Sequence, residues 1–204
     1  MPGPGSRTPY AGDLRRDLLD AAIRQVAEED PAQLSLRAIA RDLGVSHAAP
    51  KNHFQDKTAL FTAIAVEGFD GLAEALNGAI DEHPAPMDAL PAAGRAYVGF
   101  CVRNRGCFRV MWRNDLLDPD SHDLAAASGR AFSGLPRAVA EARHTGWGSA
   151  HSVRDLAVYA WSVVHGVAQL LLDGPLGDMD GRSPEALADL CVQLLVRGPE
   201  GDAG

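Results

Sequence analysis

From Leu34 the chain reads Leu-Ser-Leu-Arg-Ala-Ile-Ala-Arg-Asp-Leu-Gly-Val-Ser-His-Ala-Ala-Pro-Lys-Asn-His-Phe-Gln-Asp and then Lys57. Few local structures satisfy that order. Leu36, Ile39, Ala40 and Leu43 recur at helical spacing and make one apolar face. Ala40 is small where a crossing helix must come close. Gly44 follows the last apolar residue, where helices commonly end in a left-handed conformation that glycine adopts cheaply. Val45 is suited to burial in the turn. The spacing predicts a helix from about Leu36 to Leu43 with Ser35 as its N-cap, then a short helix from Ser46 to about Phe54 capped by Ser46. The second helix presents His47, Lys51 and Asn52 on a polar face, which makes a helix-turn-helix. A Gly-Val-Ser turn alone would fit a plain helical hairpin; the full constellation favours binding to DNA.

The remaining apolar periodicity is also helical, without a convincing alternating β-branched run, so the fold class is all-α. A first helix is predicted from about Asp13 to Glu29 and a fourth from near Lys57, carrying Leu60, Phe61, Ile64, Phe69, Leu72 and Leu76. The proline-rich stretch His83 to Pro91 interrupts the pattern and marks a candidate joint. Helices then recur at about 88–104, 106–115, 119–144, 151–173 and 184–197. The expected organisation is a three-helix head over 13–60 and a helical body over 61–197. Residues 1–12 and 198–204, rich in Pro and Gly, are expected to be mobile tails.

Composition narrows the chemistry. Nineteen basic and 27 acidic side chains give a formal charge of −8, which argues against indiscriminate binding to nucleic acid or anionic membranes. The window 33–57 differs: Arg37, Arg41, Lys51 and Lys57 face only Asp42 and Asp56, and it holds both of the chain's lysines. Three cysteines, Cys101, Cys107 and Cys191, suit a reducing cytoplasm better than a disulfide framework. The first twelve residues lack the apolar stretch of a secretory signal. Leu156 to Leu172 approaches membrane length but carries Ser162, His165 and Gln169, and reads as a buried helix. No histidine stands at metal-ligand spacing, and there is no phosphate loop or nucleophile elbow, so neither an enzyme nor a cofactor is expected.

The head resembles the DNA-binding domain of TetR/AcrR-family transcriptional regulators. The resemblance rests on Ala21-Ala22, on 34–40, on Leu43-Gly44-Val45-Ser46, on His53-Phe54 and on 56–60, and it covers roughly residues 14–72. Many members carry Leu-Tyr where this chain has Pro50 and Lys51. Pro50 lacks an N–H and predicts a tightened recognition helix. The resemblance implies sugar-phosphate contacts from Ser35, Arg37, Ser46, Lys51, His53 and Lys57, with Ser35 and Lys57 at helix N-termini that favour phosphate. It implies base-edge contacts from His47, Ala48 and Asn52. Phe54 is expected in the core, His53 is open between phosphate contact and capping, and Arg41 reads as a solvated charge.

Farther along, Trp161-Ser-Val-Val-His165-Gly166 is similar to the Trp-x-x-x-His-Gly element of a TetR subgroup with a WHG-type C-terminal domain, as is the run from Tyr97 to Trp112. Trp161, His165 and Gln169 share one helix face. Either His165 and Trp161 line an effector cavity, or His165 hydrogen-bonds across helices while Gly166 admits a neighbouring backbone; the second is favoured. Phe100, Met111, Trp112 and Phe132 are further candidates for ligand contact, although core positions are the commoner fate of such residues. The apolar helices near 155–172 and 184–197 predict a homodimer. The resemblance then implies a repressor released from double-stranded operator DNA by a small, largely apolar effector. The alternative is a DNA-binding regulator with no small-molecule ligand, controlled by a protein partner.

Overall fold

The computed structural model describes residues 13–174, 176 and 181–197. Both stretches expected to be tails lie outside the described residues. Among the described residues the structure is helical, without strands. In the head, α1 spans Leu14–Glu28 and is capped by Asp13, whose carboxylate accepts from the Arg15 N–H at 3.0 Å. A 3-10 turn, Pro31–Gln33, leads to α2, Leu36–Asp42, where the Ser35 hydroxyl accepts from the Ala38 N–H at 3.3 Å. Helix α3 runs over Lys57–Glu82, with Asp56 as its cap. Its 26 residues span about 39 Å and pass from the head into the body.

The body comprises α4 (Pro86–Arg103), α5 (Arg105–Met111), α6 (His122–His144), α7 (Val153–Leu172) and α8 (Pro184–Arg197). The proline-rich stretch breaks the helix only briefly. Pro86 opens α4, Pro91 lies inside it, and Ala89, Ala93 and Tyr97 share a core with Leu72, Leu76 and Ile80 of α3. The helix expected over 106–115 stops at Met111. Arg113 turns back to grip Asp115 through two 2.9 Å bonds, and the Asp118 N–H donates to the buried Thr62 hydroxyl at 3.0 Å. Pro119 then disfavours helical geometry at Asp118, and the chain re-enters a helix only past the Ser121 cap.

One core cluster continues from Leu18, Ile39 and Phe54 in the head through Leu60 and Phe69 to Phe108 and Val192 in the body. A second gathers Leu90, Val139, Leu156, Ala160 and Leu195 at the far end. Two glycines permit the tightest contacts around α5. A methyl at Gly68 would lie 2.6 Å from the Met111 sulfur, and one at Gly106 would overlap the Ile23 carbonyl oxygen of α1. Beside that contact, Arg109 Nη1 donates to the Val26 and Glu29 carbonyls, at 3.4 and 3.3 Å, where α1 ends. Helix α5 therefore holds the head against the body.

That contact has a measurable consequence. Gly106→Ala should lower stability by about 1–3 kcal/mol in urea titrations, because the obstructing atom is backbone and cannot rotate away. Gly78→Ala, in the same fold but facing open space on α3, should instead raise it by about 0.5–1 kcal/mol. Equal effects at both sites would refute the account of α5 packing.

Candidate nucleic-acid interface and interior cavity

The turn after α2 is built as its sequence dictates. Gly44 takes φ 69°, the Val45 N–H donates to the Ala40 carbonyl at 2.9 Å, and the Gly44 N–H donates to Arg41 at 2.9 Å. These paired bonds satisfy carbonyls that a helix end leaves open. The following segment is tightened, as Pro50 predicts, and it is shorter than the helix expected from Ser46 to about Phe54. Only Ala49–Asn52 is helical, and it is 3-10 throughout. Pro50 supplies the reason: it has no N–H for the Ser46 carbonyl, which accepts instead from Ala49 at 3.0 Å. Ser46 is accordingly not a side-chain cap; Ala48 occupies the N-cap position and makes no capping bond.

Pro50 and Phe54 anchor this segment inward, with Arg15 lying 5.1 Å over the Phe54 ring. Ser46, His47, Ala48, Lys51 and Asn52 are exposed, and His53 is half-buried. Arg37 is exposed on α2. Lys57, the first residue of α3, is also exposed, and its Nζ donates to the Ala32 carbonyl at 3.3 Å. The predicted DNA-facing residues thus fall at the cap and first turn of α2 (Ser35, Arg37), on the turn before the 3-10 segment (Ser46, His47, Ala48), within and just after that segment (Lys51, Asn52, His53) and at the start of α3 (Lys57), with His47, Lys51 and Asn52 making no side-chain bond of their own.

The body contains a cluster of rings. Trp112 touches Phe69, Phe108, Phe132, Trp161 and His165, the His165 centroid at 5.1 Å. Its indole N–H is buried without an acceptor, a state that costs about 1–3 kcal/mol. His165 Nδ1 and the Tyr97 hydroxyl share a 2.8 Å hydrogen bond, and Trp161 Nε1 makes a longer 3.4 Å approach to the same hydroxyl. Burial holds the His165 imidazole below its ordinary value of 6.5 and pushes the Tyr97 phenol upward. Burial likewise raises both Cys101 and Cys107, the latter to about 12, so neither is a ready nucleophile.

Beside the rings lies an apolar cavity of about 40 Å³. Leu76 and Ile80 of α3 and Leu90, Ala93, Gly94 and Tyr97 of α4 form one side. Phe132, Leu135, Ala160, Trp161 and Val164 form another, and Val192 and Leu195 of α8 close it. Of the six candidates for ligand contact, Phe132 and Trp161 line this space. His165 and Trp112 stand behind it in the ring cluster. Phe100 and Met111 are buried core residues, packed where Gly71 and Gly68 leave room. Gln169 leaves the expected polar stripe: it is exposed, and its amide donates to Asp173 at 2.9 Å. Sequence reasoning missed Tyr97 and the small wall of Ala93, Gly94 and Ala160.

Helices α7 and α8 are covered on one side only. Val158, Tyr159, Leu170, Leu190 and Leu194 are the exposed large hydrophobics among the described residues, at 39–53% exposure. A methyl at Gly166 would meet nothing within 4 Å inside the chain. No group of three or more His, Cys, Asp or Glu among the described residues is placed to hold a metal.

Comparison with known proteins matches both halves. A family described as "Bacterial regulatory proteins, tetR family" matches residues 18–64, and one described as "Tetracyclin repressor-like, C-terminal domain" matches 90–195. The HTH-type transcriptional regulator Rv1816 of Mycobacterium tuberculosis is 30% identical over 110 residues, 53% of this chain and 47% of that protein. The chain therefore matches about half the length of such curated relatives. A protein of unknown function from Rhodococcus sp. RHA1 is 32% identical and superposes with a TM-score of 0.78 over 94% of this chain and 98% of the other. The regulator PfmR from Thermus thermophilus shares the fold at 23% identity, TM-score 0.74, over 90% and 98%.

The buried His165 gives a pH dependence with a defined sign. Its folded value lies below the unfolded one, so the unfolded chain takes up this proton first as pH falls. The stability contributed by the neutral ring is complete above 6.5 and is lost as pH falls through the folded value. Urea midpoints measured from pH 7.5 to 5 should therefore fall more steeply for the natural chain than for His165→Asn. Parallel profiles would show that the ring titrates as a solvated histidine.

Proposed function

This chain belongs to the TetR family of bacterial transcriptional regulators, and from that premise we propose that it binds a pseudo-palindromic DNA operator as a homodimer in the cytoplasm. The observation that carries the proposal is the exposed face of His47, Lys51 and Asn52, free of internal bonds and seated on a buried Pro50 and Phe54. Asn52 is suited to bidentate contact with adenine and Ala48 to the thymine methyl, while Lys51, Arg37 and Lys57 supply phosphate contacts. His47 is the further base-edge candidate, and Ser35, Ser46 and His53 complete the backbone set. The near-neutral head approaches DNA more readily than the acidic body, which orients the encounter.

The exposed apolar side chains of α7 and α8 are the proposed dimer surface. Two copies related by a two-fold axis would cover Leu190 and Leu194 in a four-helix contact, and the bare backbone at Gly166 permits close approach. Two heads held in that way match two half-sites about one helical turn apart.

The proposed effector is a small, largely apolar molecule that occupies the cavity and releases the repressor from its operator. The mechanical support is continuous. Trp161 and Phe132 line the cavity and touch Trp112, and the adjoining α5 is pressed on α1 through Gly106 and Arg109. A differential affinity of about 1–3 kcal/mol between the two states would change DNA affinity about 5- to 150-fold. The small cavity volume favours, on the other side, a regulator governed by a protein partner alone. Effectors that bind the body yet leave operator affinity unchanged would decide for that second reading.

A footprint on DNA flanking the chain's own gene tests the central proposal. Lys51→Ala with Asn52→Ala should abolish salt-sensitive duplex binding in anisotropy titrations while leaving the helical melting curve in place. Undiminished affinity would remove the proposed interface. Leu190→Asp with Leu194→Asp should give folded single protomers in sedimentation experiments; persistent dimers would place the contact elsewhere.

A further inference from the structure

We infer that the cavity of the body takes an uncharged, chain-like ligand of medium length whose single polar group, a hydroxyl or carbonyl, bonds to the Tyr97 hydroxyl. The inference rests on the effector reading above and specifies the chemistry of that site. Its basis is the composition of the walls. Tyr97 and Trp161 are the lining residues whose side chains carry a polar group; every other lining side chain is hydrocarbon. No lining residue carries a charge. On the lining helices, Arg95 and Arg137 face outward and are paired with Asp189 and Asp81.

A carboxylate or ammonium drawn into this space would lose its hydration without gaining a counter-charge, a penalty far larger than one hydrogen bond returns. The faces of the rings offer little to a cation, because Trp161 is already packed against Phe132, Trp112 and His165 at 5.0–5.8 Å. A neutral group meets a better match. The Tyr97–His165 bond works in either sense: Tyr97 donates to a bare Nδ1, or Nδ1–H donates to Tyr97 and frees the phenol proton. In the second sense Tyr97 can donate to a ligand carbonyl; in the first, a ligand hydroxyl that donates to the phenol oxygen takes the place of the long 3.4 Å Trp161 contact. The depressed affinity of His165 for protons keeps the pair uncharged in both cases.

Length follows from the helix geometry. The lining positions of α4 run from Leu90 to Tyr97, a rise of about 10 Å, which matches an extended chain of roughly seven to nine carbons. The present volume of about 40 Å³ is too small for a chain of that length, so binding requires the walls to part. The cavity lies where that is easiest. Its lining draws Leu76, Val164 and Val192 from one core cluster and Leu90, Ala160 and Leu195 from the other. A chain inserted there separates two packed units at their seam and leaves the interior of each intact.

The test uses the full chain without DNA and its tryptophan fluorescence, with Trp147→Phe as the background so that Trp112 and Trp161 report, and matched eight-carbon probes. 1-Octanol should saturate at one molecule per protomer, and octanoate and octylammonium should bind at least about tenfold more weakly at pH 7.5. Tyr97→Phe should weaken 1-octanol about five- to tenfold and leave 1-chlorooctane unchanged. Ala93→Leu, which fills the cavity from the α4 wall, should abolish binding of both and serves also if Tyr97→Phe does not fold. Octanoate or octylammonium binding as tightly as 1-octanol would overturn the assignment. So would saturable 1-octanol binding that survives Ala93→Leu, or no saturable binding of 1-octanol at all. Operator release is scored separately: 1-octanol that binds through Tyr97 without loosening DNA supports the ligand class and refutes only the effector reading.

Discussion

The arrangement depends on α3 carrying one buried face from Leu60 to Ile80. Leu60 and Ile64 complete the core of the head, and Leu72, Leu76 and Ile80, two to five turns farther on, belong to the body. Each such side chain contributes about 1.5–3 kcal/mol when removed from water. One continuous helix with buried side chains at both ends cannot tilt in one domain and stay still in the other. Helix α5 reinforces the link through contacts of backbone on backbone at Gly106. The forked Arg16–Glu67 pair between α1 and α3, at 2.7 Å in both arms, adds far less because it is exposed to solvent. Packing, and not surface charge, sets the attitude of the head. Salt should therefore act on the DNA contacts themselves more than on the geometry that presents them.

The head is legible in the sequence because its signals are local. Ser35 and Gly44 each act within a few residues of their own position, whereas Phe54 reads as an aromatic to be buried and finds its neighbours, Arg15 among them, only in the fold. The recognition segment is legible only in part. The missing N–H of Pro50 reads as one lost bond, yet it also strips the Ser46 carbonyl of its helical partner and converts the first turn to 3-10 geometry. The cavity is scarcely legible, for a different reason. Its walls come from five helices, and its room comes from Ala93, Gly94 and Ala160, which a sequence presents as ordinary helix residues. Large side chains draw attention instead. Phe100 and Met111 fill spaces left by Gly71 and Gly68, a pairing that exists only in three dimensions.

Helix α7 shows how composition can mislead in two directions. Its apolar length, Val153–Leu172, is enough to cross a membrane, and its sequence reads as a helix covered nearly all round. In the fold, Leu156, Val164 and Val167 are committed to the interior, whereas Val158, Tyr159 and Leu170 face outward. The outward side also carries Ser162 and Gln169. Such a mixed surface, apolar but interrupted by small polar groups, suits a protein neighbour with matching partners better than hydrocarbon. Helix α8 extends it with Leu190 and Leu194 while Val192 and Leu195 close the cavity from the opposite side.

That two-sided role of α8 sets a condition on any switch in this molecule. A guest that parts the seam must either move α8, and with it the outward leucines, or move α4 and α6 and so disturb the rings around Trp112. The work of opening is subtracted from the ligand's intrinsic affinity: a cavity open in about one molecule in a hundred weakens apparent binding about a hundredfold. The same work is what reaches the rest of the fold. A roomy, preformed pocket would bind more tightly and transmit less, because filling it would leave every contact in place. A small pocket next to a crowded ring cluster would trade affinity for leverage. The buried indole N–H of Trp112 has no acceptor, so a rearrangement there would break no hydrogen bond.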